Sequence, residues 1–213
     1  MKTSKKVLIG FLILVYLAIP SILVTGLFYW MYTSAEIELN TDIIKYNDYI
    51  GENAQDKYQN KWGMDESIFP VSITDNMNIL DYKMVYYNPW DAEYLSYLVV
   101  EYSESDYKEE VNRLKSYEST NYLGYYNVTG FTKYDLLAMY ADGYNGFVYA
   151  ITDNQNRVIY VELIFCNYFY DLDYKEYINT DYLPNGFDAT IDNSYMKEMV
   201  KKINGYLKSF IFS

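Results

Sequence analysis

The chain has 213 residues, 51% of them apolar, with only 10 glycines and four prolines, which excludes collagen-like or disordered character. Its formal charge is −12, and all 29 acidic residues lie beyond position 33, a balance that repels phosphate backbones and speaks against nucleic acid as a partner. There is no histidine and a single cysteine, which removes Ser–His and Cys–His nucleophile pairs, His-ligated zinc, CxxC redox motifs and intramolecular disulfides.

Residues 7–32 carry no charged side chain. These 26 residues make a helix of roughly 39 Å at about 1.5 Å per residue, enough to cross a ~30 Å hydrocarbon core. Lys2, Lys5 and Lys6 precede the run, while Glu36, Glu38 and Asp42 follow it, so the positive-inside rule puts the N-terminus in the cytoplasm. Phe28, Tyr29, Trp30 and Tyr32 gather at the outer end, where amphipathic rings favour the headgroup layer. Pro20 would kink such a helix. The competing reading is a cleaved signal peptide, with Val24-Thr25-Gly26 or Thr33-Ser34-Ala35 as the cleavage site; the length of the run and its aromatic end favour an uncleaved anchor.

Beyond it, Leu39, Ile43, Tyr46 and Ile50 follow a 4-3-4 spacing that predicts a helix, with Thr33 and Glu36 as a capping box and Gly51 as the stop. The polar stretch 52–63 reads as a linker. In residues 80–86 the even positions are apolar or aromatic, and with 94–102 after the Asn88-Pro89 turn they predict a hairpin. Ser103 with Asp106 caps a helix whose buried stripe is Tyr107, Val111 and Leu114. Residues 136–141, 147–152 and 158–166 form a three-stranded meander, joined by Asp-Gly and Asn-Gly at 142–146 and by the polar turn 153–156. A short helical piece near 174–178 and a turn at 183–186 come next. Asp192 or Asn193 then caps a last helix with a stripe of Met196, Met199, Ile203, Tyr206 and Phe210.

Strands and helices in blocks predict an α+β class with an antiparallel sheet of about five strands, a hairpin plus a meander. The layout is a cytoplasmic N-terminus (1–6), a transmembrane anchor (7–32), a helical stalk and linker (33–63) and an extracytoplasmic domain (64–213). The stretch from Ile68-Phe69-Pro70 through Tyr102-Ser103, with Glu110 to Leu114, resembles uncharacterised membrane-anchored proteins of Gram-positive anaerobes, a resemblance that implies no activity.

Tyrosine is the strongest compositional signal, with 29 in the chain. Tyr82, Tyr86, Tyr97, Tyr149 and Tyr160 fit strand core or cross-strand positions. Tyr122, Tyr125, Tyr126, Tyr134 and Tyr144 fall in Gly- and Asn-bearing loops and are the candidate binding face for a protein or glycan, since an exposed ring supplies apolar area and a hydroxyl at small entropic cost. Glu101 and Glu162 each interrupt an apolar strand run. They are the only catalytic candidates, as a carboxylate pair for glycoside cleavage, which requires both in one site roughly 5–10 Å apart. The competing reading sets Glu162 on the solvent face of a one-sided sheet, with Val161, Leu163 and Phe165 inward.

Other patterns read as structural. Ser194-Tyr195-Met196-Lys197 has Ser-x-x-Lys spacing without the companion elements that acyl-enzymes need. Asp171, Asp173 and Asp188 to Asp192 offer oxygens but no calcium loop, so neither a metal nor a cofactor is expected. Cys166 ends the most apolar strand as a buried thiol, and Asn127-Val128-Thr129 is a glycosylation sequon. The sequence thus points to a non-catalytic, membrane-anchored binding module, single-pass with its C-terminal domain outside. A small carboxylate hydrolase and an accessory or regulatory subunit of another membrane protein are the rival readings.

Overall fold

A computed structural model of the chain describes the backbone of residues 2–33 and 35–211 and the side chains of 15–30 and 35–205. The element order is α1 (Lys2–Thr33), β1 (Glu38–Asn40), α2 (Tyr46–Tyr49), α3 (Asp56–Gln59), β2 (Asn78–Tyr87), β3 (Glu93–Glu101), α4 (Glu104–Lys115), β4 (Asp135–Asp142), β5 (Gly146–Thr152), β6 (Arg157–Ile164) and α5 (Ser194–Ile211). Helix α1 and the turn Asn88–Trp90 form one compact unit, in which the Phe28 and Trp90 rings lie 5.6 Å apart. The sheet and everything packed on it form the other.

Helix α1 contains Pro20 and spans the run expected to cross a membrane. Residues 1–14 and 31–34 of that expectation lie outside the described side chains. Among the described residues no helix is long and apolar enough to cross a membrane.

The second unit is α+β, with one six-stranded antiparallel sheet in the order β1-β2-β3-β6-β5-β4. The expected hairpin and meander are both present, joined by the β3–β6 pairing, in which Ser96 stands opposite Glu162 and Glu101 opposite Arg157. The sixth strand is β1, which pairs Leu39 with Val85. This corrects the predicted 39–50 helix. Leu39 belongs to a strand, and only the short turns 43–45 and 46–49 are helical, the first capped by Asp42. The cap predicted at Thr33 lies outside the described side chains. Nor is 52–63 a linker, since Ala54, Tyr58 and Lys61 are buried.

Both faces of the sheet are covered. On the face of Tyr82, Met84, Leu98, Val100, Val158 and Tyr160 lie Tyr46, Ile50, Tyr58, Ile68 and Phe69 from the segment before β2, with Leu114 of α4. Ser103 caps α4 through the Asp106 amide, as expected. Arg113 clamps Glu110 with two hydrogen bonds and donates to the carbonyls of Ser67 and Ile68, tying α4 to that segment. On the opposite face Tyr97 meets Tyr182, Phe147 meets Tyr126 and Phe187, and Tyr149 meets Phe131. This layer comes from residues 122–134 and 165–193.

The outer edge of β4 is occupied by the preceding loop. Thr120 donates its amide to the Met139 carbonyl at 2.9 Å, and the hydroxyls of Ser119 and Thr120 accept from the amides of Met139 and Ala141. Asn193 caps α5 through the Met196 amide. The α5 stripe is not buried as a core stripe would be: Met196 and Met199 are half-buried, Ile203 is exposed, and Tyr206 and Phe210 lie outside the described side chains.

Candidate functional site

Glu162 is 0% exposed, which overturns its expected place on a solvent face. Val161, Leu163 and Phe165 are buried as expected, but so is Glu162, because the sheet has no open face. Its carboxylate receives the Lys61 ammonium at 2.9 and 3.2 Å and the Ser96 hydroxyl at 3.3 Å. Lys61, 2% exposed, also donates to Glu66, and its ammonium stands 5.7 Å from the centre of the Tyr94 ring. Burial, and then the negative charge of Glu162, push the Glu66 carboxyl up to about 8.

The backbone works to place Lys61. Three consecutive residues, Lys61, Trp62 and Gly63, hold positive φ of 33°, 55° and 75°, a costly run for two side-chain-bearing residues. Trp62 is fixed by its indole N–H on the Ala92 carbonyl at 2.7 Å. Beside the triad, Tyr102 and Tyr160 share a hydroxyl hydrogen bond of 2.8 Å, and Tyr160 donates to Glu110.

Lys61 and Glu162 are closed off from solvent, while Glu66 keeps a slight exposure. Glu101 lies on the other face of the sheet, exposed at the end of β3 and accepting from Asn78 at 2.9 Å. Its register partner, Arg157, is five positions from Glu162, or roughly 16 Å along the strand. The two carboxylates never share a site, so the pairing that the hydrolase reading needs is absent. Two cavities of about 400 and 430 Å³ lie elsewhere, the first walled by Phe169, Leu172, Tyr174 and Ala189 and the second beside α5.

The loop tyrosines divide. Tyr126 is fully buried, with φ of +49° turning its ring between Phe165 at 5.0 Å and Tyr195 at 4.9 Å, so its place on a binding face is corrected to core. Tyr122, Tyr125 and Tyr134 are half-buried, each with one side of the ring taken by Phe131, Tyr195 and Tyr182 respectively. Tyr144 is 47% exposed, its hydroxyl accepting from Asn167 at 2.7 Å. The turn before β5 is held from this loop: the Tyr125 ring lies against Gly143, and the Tyr126 hydroxyl donates to the Tyr144 carbonyl. Tyr122 and Tyr134 pack farther along the same covering layer.

The remaining motifs are structural. Ser194 donates to Asn127 at 2.9 Å and Lys197 pairs with Asp192 at 3.0 Å, so no hydroxyl faces an amine. Asp173 and Asp188 close turns through the amides of Lys175 and Thr190. Among the described residues no group of three or more acidic, cysteine or histidine side chains could hold a metal ion. Cys166 lies just past β6 and is half-buried rather than buried; burial pushes its thiol up, so it is a poor nucleophile.

Glu93 was not singled out by the sequence. It is buried at the start of β3, accepts from the Tyr170 amide through one oxygen, and leaves the other without a hydrogen bond. Burial and the nearby charges of Asp171 and Asp91 push it up to about 8. No protein-family model matches the chain, and neither a curated protein nor a solved structure matches it.

Proposed function

We propose that the chain is an extracytoplasmic, non-catalytic binding module held at the cell membrane by α1. The observation that carries this is the uncovered apolar surface of α1. Leu17, Ile19, Ile22, Leu23, Val24 and Leu27 are all exposed, and they point to every side of the helix. A helix apolar all round has no favourable place in water. Ser21 and Thr25 within it satisfy their hydroxyls internally, on the Leu17 and Ser21 carbonyls, as a lipid environment requires. Lysines before the run and acids after it support an outward domain.

Recognition rather than catalysis is supported by the separation of Glu101 from Glu162 and by the exposed ring of Tyr144 on an acidic domain. A neutral or basic protein or glycan is the partner class that suits such a surface.

Protease added to intact cells should digest the chain beyond about residue 33, leaving a fragment that resists carbonate extraction. A mature N-terminus at Leu27 or Glu36, or full release by carbonate, would overturn the anchor.

A further inference from the structure

Helix α5 departs from the charge of the rest of the chain. In a protein of net charge −12 it holds four of the 17 basic residues and a single glutamate. Met196, Met199, Val200 and Ile203 follow helical spacing along one face, Lys197 and Lys202 flank it, and Lys201 stands with Glu198 on the far side. The aromatic layer over the sheet packs against the start of this helix, where Tyr195 stacks on Tyr125 and Tyr126. Farther along the described part of the helix, Val200 is 51% and Ile203 53% exposed. Between it and the loop after β6 lies the cavity of about 430 Å³, with Ile191, Met196 and Val200 as apolar walls and Lys197 and Lys201 among its lining residues.

We propose that α5 lies flat on the surface of an anionic membrane, its Met196–Ile203 face among the upper acyl chains and its lysines among the headgroups. A helix with one apolar face and a lysine-rich opposite face is the form that settles at a lipid interface. A second copy fits less well, since it would bring Lys197 and Lys202, which flank that face, near their own counterparts. The inference rests on the reading of α1 as an anchor, which keeps α5 at high effective concentration over a bilayer and lets a weak contact suffice. Each lysine near an anionic surface contributes about fivefold to such binding.

The test uses the full chain with Cys166→Ser, carrying one environment-sensitive fluorophore at Ile203→Cys or at Lys201→Cys. The chain is reconstituted into vesicles of phosphatidylcholine alone or with phosphatidylglycerol, each containing nitroxide-labelled acyl chains. Emission at 203 should be quenched in the anionic vesicles and much less in the neutral ones, emission at 201 should be spared, and Lys197→Glu with Lys202→Glu should abolish the difference. Equal emission at 203 in both lipids overturns the proposal. So does a change at 203 that follows protein dilution rather than lipid charge, which would assign the face to a second copy, or one that needs an added acidic protein. Carbonate extraction reads the anchor separately: a chain that is extractable yet quenched at 203 loses the anchor and keeps this contact, and a chain retained but unquenched does the reverse.

Discussion

The two faces of the sheet are built from different chemistry. One is closed by the segment before β2 and by α4, and at its centre lies an ionic triad of Lys61, Glu66 and Glu162. The other is closed by rings, with Tyr126, Phe147, Phe165, Phe169, Tyr174 and Phe187 in mutual contact. Rings packed edge to face tolerate many neighbours, because their attraction is mostly area burial. A buried charge tolerates only its partner, since losing it leaves an uncompensated ion in a medium that solvates it poorly. The first face is therefore specific, and the second is adaptable.

The sharpest way to break this contrast is Lys61→Met, which strands Glu162 and should cost about 3–5 kcal/mol in urea unfolding. Adding Glu66→Gln and Glu162→Gln should restore much of that loss, whereas a cost under about 1 kcal/mol would show that the triad does not hold its face. On the aromatic side Leu163→Ala should cost about 2–5 kcal/mol, with no partner change that restores it. The smallest effect is a slope. Glu66 and Glu93, one for each face, are raised from 4.5 to about 8, so the folded chain holds protons that the unfolded chain releases. Their stabilisation is full below pH 4.5 and is lost as pH rises toward 8. The slope approaches about 1.4 kcal/mol per pH unit for each group, and Glu66→Gln or Glu93→Gln should remove its share in thermal melts across that window.

The strands β2 to β6 were legible within a residue or two of their ends, β2 by its period two and β3 to β6 as apolar runs bounded by turn residues. Leu39 misled because its spacing to Ile43, Tyr46 and Ile50 mimics a helix, while a three-residue strand leaves no period to detect. The faces of β6 were readable in principle. Residues 158–165 are apolar at both parities except for Glu162, the mark of a strand covered on two sides rather than one. What no pattern offered was the partner of Glu162. Lys61 lies 101 residues away, in a stretch whose polar composition reads as a linker. Tyr126 was missed for a related reason: a ring among Gly and Asn reads as exposed, and only its left-handed backbone, visible in three dimensions, turns it inward.

The loop hydrogen bonds along β4 bear on how this protein behaves in a crowd. A sheet's outermost strand normally presents a ladder of free amides and carbonyls, onto which a stray chain can add and begin a fibril. At one margin Ser119 and Thr120 already occupy positions 139 and 141 of that ladder, and at the other β1 is only three residues long. The β4 margin is thus partly occupied already, and it offers less of a template for cross-β growth than a free outer strand would.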